Sequence, residues 1–197
     1  MRFPGATHLV VGFQHRAEAE RFLKEFQERL AKFGLELQPE KTRLIEFGRF
    51  AEANRQARGE GEPEQFTFLG FTHQCGTNSR GQFIIQRRTE RKRMEAKLQA
   101  VKQTLRARMH EPVPKVGEWL GRVLNGYYQY HAVPGNLTSL YTFRERVGRY
   151  WRRVVERRSQ RGRLTVDRIA RLFDRWLPQP RIVHPYPDAR FAATHPR

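Results

Sequence analysis

The chain has 197 residues, with 38 Lys plus Arg against 20 Asp plus Glu, a formal net charge of +18 and a pI near 11.2. That length suits one ordinary domain or two small ones. A mean hydropathy of -0.79 and the lack of any apolar run long enough to cross a bilayer exclude a membrane span. The N-terminal residues also lack the charged-then-apolar layout of a signal peptide, so the expected location is cytoplasmic.

One cysteine, Cys75, forbids an internal disulfide and any zinc site needing two thiolates, so zinc is discounted. Fourteen Phe, 6 Tyr and 3 Trp within a 38% hydrophobic composition are enough to bury a core, which argues against disorder.

The charge is unevenly placed. Residues 1–79 are net neutral, residues 80–181 carry +17 and the tail from Ile182 carries +1. Such a concentration is the footprint of a surface that neutralises phosphates and releases counterions. Of the basic residues 31 are Arg, whose planar fork binds phosphate bidentately and stacks on bases.

Leu9 to Phe13 (LVVGF) is a short apolar, β-branched run and predicts a buried strand. From Arg16 to Phe33, Ala19, Phe22, Leu23, Phe26, Leu30 and Phe33 fall at helical spacing, with Gly34 placed as a C-terminal cap. Glu18, Glu20, Glu25 and Glu28 lie on the polar side of that helix. Leu35, Leu37 and Thr42 to Phe47 predict two short strands broken by Pro39.

Ala51 to Glu64, polar and bearing Gly and Pro, reads as a loop or linker. Phe66 to Thr72 and Gln82 to Gln86, separated by the turn-rich Gly76 to Gly81, read as a hairpin.

From Thr89 the period becomes helical. Met94, Leu98, Val101, Leu105 and Met109 mark one helix, with Thr89 as its cap and Pro112 and Pro114 ending it. Val116, Trp119, Leu120, Val123, Leu124 and Tyr127 mark a second. Leu140, Phe143, Val147, Tyr150, Trp151, Val154 and Val155 mark a third, and Val166 to Trp176 behind Thr165 a fourth. The expected architecture is α+β: short antiparallel strands plus one helix, then a small helical bundle. A tail containing Pro178, Pro180, Pro185, Pro187 and Pro196 should lie extended on the surface. Boundaries follow at 1–50, 51–65, 66–86, 87–177 and 178–197.

The third helix carries Arg144, Arg146, Arg149, Arg152, Arg153, Arg157 and Arg158 against only Glu145 and Glu156. Arg149, Arg152, Arg153 and Arg157 share a broad face, where like charges repel unless a polyanion lies along them. Arg87, Arg88, Arg91, Lys92 and Arg93 open the first helix of the bundle, where positive charge opposes the macrodipole. Tyr127, Tyr128, Tyr130 and His131 supply planar groups able to stack on unpaired bases, and Tyr130 with His131 is expected to be the exposed pair. Trp119, Trp151 and Trp176 lie on apolar stripes and are assigned to the core. Asp167 and Asp174, among arginines, are expected to form ion pairs. The sequence offers no Gly-rich phosphate loop, no recognisable Ser/His/Asp grouping and no paired carboxylates in an apolar setting.

The order of these motifs resembles the reverse transcriptase and maturase proteins encoded by bacterial group II introns. LVVGF, the helix after it, GLELQPEKTRLIEFGRF (Gly34 to Phe50) and FTFLGF (Phe66 to Phe71) resemble the last palm motifs of that polymerase. LNGYYQYHAVPGN (Leu124 to Asn136) and the Arg-rich third helix resemble the maturase, or thumb, domain. RIVHPYPDARF (Arg181 to Phe191) resembles the terminal tail.

The chain departs from the family at one decisive place. Where the family has Tyr-Ala-Asp-Asp before the strand, with carboxylates that help hold two catalytic magnesium ions, this chain has Gly5, Ala6, Thr7 and His8. Fingers and the remaining palm would lie before Met1. The resemblance thus implies a polymerase-inactive piece without a cofactor of its own, whose RNA-binding maturase part is intact. Its implied partners are group II intron RNA and, within a ribonucleoprotein, target DNA. Polymerase activity completed by another chain, or nonspecific binding of nucleic acid, are the alternatives.

Overall fold

The computed structural model describes residues 9–158 and 165–186. Within these the fold is α+β, with six helices and a three-stranded antiparallel sheet of order β1-β2-β3. The elements are α1 (Arg16–Ala31), α2 (Ala51–Ala57), β1 (Phe66–Phe68), β2 (Phe71–Thr77), β3 (Phe83–Thr89), α3 (Arg91–Ala107), α4 (Val113–His131), α5 (Leu137–Arg158) and α6 (Val166–Trp176). The chain divides into two compact units. The first holds the residues up to Phe68 with Gln74–Ile85; the second holds Leu69–His73 and the chain from Gln86.

In the first unit α1 forms where its apolar spacing predicts. Gly34 adopts φ +66°, its N–H donates to Ala31, and the Leu35 N–H donates to Leu30, which closes the helix C-terminus. The apolar face is only half covered: Ala19 is buried, whereas Phe22, Leu23, Phe26 and Leu30 remain part-exposed. Phe22 meets Phe13 and Phe26 at centroid distances of 5.2 and 5.5 Å.

Three expectations fail in this unit. Leu9 to Phe13 is neither a strand nor buried, with Leu9 60% exposed, because no described strand pairs with it to cover its side chains. Leu35, Leu37 and Thr42 to Phe47 form no strands either. Around Pro39 the chain instead turns, with the Thr42 N–H and hydroxyl both donating to the Gln38 carbonyl. The supposed linker contains α2: AEANRQA has no apolar period, yet Ala, Glu, Arg and Gln all favour helix. That helix buries Ala51 and ends with the Glu60 N–H donating to Arg55.

The hairpin is richer than predicted. FTFLGFT is itself two strands, because Leu69 (φ 48°) and Gly70 (φ 78°) make a two-residue turn with both central residues left-handed. β2 then runs on to Thr77. The Asn78 side-chain oxygen accepts from the N–H groups of Arg80 and Gln82 and so closes the turn to β3.

The second unit holds the main core. Leu98, Val101 and Leu105 of α3, Val116, Leu120 and Leu124 of α4, and Leu140, Phe143, Val147 and Trp151 of α5 are all buried, as their spacing predicts. Tyr127 stacks on Phe143 at 3.7 Å. Helix α6 comes very close to the bundle. A Cβ on Gly117 would lie 2.6 Å from the Trp176 ring, and one on Gly148 would lie 2.9 Å from Phe173. Thr165 caps α6 as expected, accepting from the Arg168 N–H.

Two boundary assignments change. Thr89 does not cap α3, where Glu90 is the N-cap residue. It is buried at the end of β3, its N–H donating to Asn136 Oδ1 and its hydroxyl accepting from Asn136 Nδ2. Pro112 and Pro114 do not end α3 but start α4, where a helix has N–H groups to spare. Asp167 and Asp174 make no ion pair among the described residues. The described tail lacks regular structure and bonds back to the bundle, with the Val183 and His184 N–H groups donating to Ala132. Gly5 to His8, Pro187 and Pro196 lie outside the described residues.

Candidate nucleic-acid interface

Helices α3 and α5 pack along their length, and on the solvent side of their seam lies a shallow recess. Lys102 and Arg106 of α3 form one rim and Arg153 and Arg157 of α5 the other, with Leu105, Val154 and Tyr150 as the floor. Helical geometry explains the alignment: each cation pair is four residues apart, and Tyr150 precedes Arg153 by three, so all lie beside the buried stripe. No lining residue is acidic. Lys102 Nζ stands 5.7 Å from the Tyr150 ring centroid, and the Tyr150 hydroxyl accepts a long hydrogen bond from Arg146 at 3.4 Å.

The arginines of α5 therefore divide by role. Arg144 donates twice to the Leu177 carbonyl, at 3.2 and 3.1 Å, and tethers the end of α6. Arg158 donates to the carbonyls of Glu111 and Arg108, joining α5 to the chain after α3. Arg146 grips Glu95 of α3 bidentately at 2.6 and 2.8 Å, which holds the Glu95 carboxyl below its usual range and raises the guanidinium. Arg149 and Arg152 pair along the helix with Glu145 and Glu156, each at 2.7 Å.

Arg153 and Arg157 are exposed and form no hydrogen bond or ion pair among the described residues. The expected four-arginine face is thus split, because Arg149 and Arg152 are engaged by acids one turn away. Arg144 and Arg158 are structural ties rather than surface cations.

The second predicted cluster is looser. Arg88 reaches Gln86, Arg93 pairs with Glu90 at 3.3 Å, Arg91 is exposed and Arg87 is half-buried.

Tyr130 is half exposed, but its hydroxyl donates to Leu69 at 2.6 Å and its ring stacks on Phe71 at 5.6 Å. His131 is not exposed with it. Its ring lies 4.2 Å from Tyr127, 4.9 Å from Tyr130 and 5.3 Å from Phe71, and burial pushes its pKa down to about 4. Burial likewise raises the Tyr127 hydroxyl to about 12.

Sequence reading did not select Lys102, Arg106 or Tyr150. The available signal was the placing of cations one position outside the apolar stripe of two helices that pack together, which requires knowing the pairing. Among the described residues no group of three His, Cys, Asp or Glu side chains is placed to hold a metal ion. No described helix is long and apolar enough to cross a membrane. A scan of protein-family models finds no match, and neither curated proteins nor solved structures show significant similarity to the chain.

Proposed function

We propose that the protein binds RNA through the α3/α5 recess and serves as a group II intron maturase, an RNA-splicing cofactor rather than a polymerase. The observation that carries the RNA-binding reading is the recess itself: four cations around an aromatic floor, with no acidic side chain in the lining. Phosphates answer the unneutralised charge, and the RNA would do its own splicing chemistry while the protein clamps and shapes it. The maturase assignment rests on the order of the sequence motifs, from LVVGF through the Arg-rich helix α5. On the same resemblance the first unit is a remnant of a polymerase palm, the partners are group II intron RNA and target DNA in a ribonucleoprotein, and the site of action is the bacterial cytoplasm.

Magnesium does not fit the positions the resemblance assigns to it. Thr7 and His8 offer no carboxylate, and two hard cations placed against phosphates need such oxygen ligands, so no metal-dependent step is derived.

The test is competition binding at fixed salt between a group II intron RNA and an unrelated duplex, with the salt dependence measured in parallel. The reading expects preference for the intron and, for about six phosphates contacted, a slope of log affinity on log salt of about -4 to -5. A flat salt response removes phosphate clamping; equal affinity for both ligands reduces the protein to a nonspecific basic binder. Magnesium-dependent primer extension by the purified chain would restore the polymerase alternative.

A further inference from the structure

Resting on the RNA-binding reading, we infer that the α3/α5 recess is one strand wide: it holds unpaired RNA, with phosphates along its two cationic rims and a base against Tyr150. Two packed helices lie about 8–10 Å apart, so the trough between their outer side chains admits a single strand, whereas a duplex would bridge from rim to rim above the floor. Lys102 with Arg106, and Arg153 with Arg157, are cation pairs about 6 Å apart along their helices, comparable to the spacing of successive phosphates in an extended strand.

The floor decides between the two ligands. Tyr150 is recessed beside the almost fully buried Leu105 and Val154 and still lines the open trough. In a duplex the base faces are already stacked on one another, which leaves this ring idle, while in a single strand they are free to stack on an aromatic or cationic platform. Arg146 on its hydroxyl holds the side chain in place before any ligand arrives, and Lys102, with Nζ 5.7 Å from the ring centroid, is a flexible cation that a base can displace toward the phosphates. The rims explain retention of phosphate, and the aromatic floor explains selection of an unpaired base.

The experiment uses the full chain and fluorescence anisotropy with a labelled RNA of about 12 nucleotides, single-stranded or annealed to its complement, at one salt concentration. The single strand is expected to bind at least about tenfold tighter, the worth of one stacked base. Arg153→Gln with Arg157→Gln should lower the salt slope for the single strand by about 1.4. Tyr150→Leu should lose about tenfold on the single strand and leave the duplex unchanged, while Tyr150→Phe keeps binding.

The duplex binding as tightly as the strand, or Tyr150→Leu weakening both alike at unchanged helicity, would overturn the single-strand assignment while leaving RNA binding in place. Failure of both RNAs to bind would instead remove the RNA-binding reading itself. Should Tyr150→Leu melt early, the salt slope of the two-arginine variant, whose side chains are exposed, still decides. An unchanged slope counts against the recess.

Discussion

The two units are built on opposite physical terms. In the first, the only fully buried side chains among the described residues are two alanines, Ala19 and Ala51, while Phe33 and Phe50 are 70% and 69% exposed. In the second, Trp151, Phe143 and six leucines are shielded almost completely. Charge runs the other way: the neutral residues 1–79 cover most of the thinly buried unit, while the +17 segment forms most of the well-packed one. A surface dense in like charge destabilises its own fold, so it requires a core strong enough to carry it. The second unit has that core, and its cations can be kept for a ligand.

The largest expected effect tests this contrast directly. Trp151→Ala should cost on the order of 3 to 5 kcal/mol, since the ring is wholly buried against Phe173 and its neighbours. Phe26→Ala, at a half-buried position of α1, should cost about 1 kcal/mol or less. All three tryptophans lie in the second unit, so in urea melts Trp119 and Trp176 still report on it after Trp151 is replaced. Equal losses for both variants would show that the two units share one cooperative core.

Acid should act on the second unit through His131. Its folded pKa of about 4 lies below the unfolded value of about 6.5, so below pH 6.5 the unfolded chain takes up a proton that the buried ring refuses. Stability is therefore lost as pH falls through that window and is insensitive to this group above it. Urea midpoints followed by tryptophan fluorescence from pH 7.5 to 4.5 check the sign. His131→Gln should flatten the profile; an unchanged slope would place the titrating group elsewhere.

The contrast also explains what was legible in the sequence. Helices α3 to α6 were readable because each buries one continuous stripe, and a stripe is what periodicity records. Burial of Leu9 to Phe13 was misread because an apolar run says nothing about whether a neighbouring strand exists to cover it. Helix α2 was missed because it has no stripe, and Thr89 was misassigned because its hydroxyl answers Asn136, a residue far along the chain. At the candidate site, the positive charge of α5 was readable but its division was not. Arg149 and Arg152 pair with glutamates one turn away on α5 itself, but the engagement of Arg146, Arg144 and Arg158 depends on Glu95, Leu177 and Glu111, all contributed by other parts of the second unit.

Close packing around α6 yields a smaller effect. Gly117→Ala gains helix propensity of about 1 kcal/mol, but its methyl would meet the Trp176 ring at 2.6 Å. Overpacking at such a distance costs about 1–3 kcal/mol, so the net change should be a modest loss. Gly126→Ala, with open space at its Cβ, is the control and should stabilise. If the two variants shift the thermal midpoint alike, α6 does not pack against α4 in solution.

The smallest effect separates the arginines of α5 from one another. Arg146 and Arg149 are three residues apart on the same helix and each contacts a glutamate. Arg146 lies in a part-buried bidentate pair across to α3, whereas Arg149 makes a single exposed pair within its own helix. Arg146→Gln should thus cost more stability than Arg149→Gln, because it breaks two charge-assisted bonds that join α5 to α3. Arg149→Gln should change stability by no more than about 0.5 kcal/mol, since water and salt already screen that pair. Arg152→Gln should be equally mild, and neither exposed change should weaken RNA binding as strongly as loss of Arg153 and Arg157, which face the recess uncommitted. Chemical denaturation beside RNA titration reads both axes for every variant. If Arg149→Gln and Arg152→Gln together cost as much affinity as the Arg153 and Arg157 pair, the ligand lies along the outer face of α5 and the recess is not its seat.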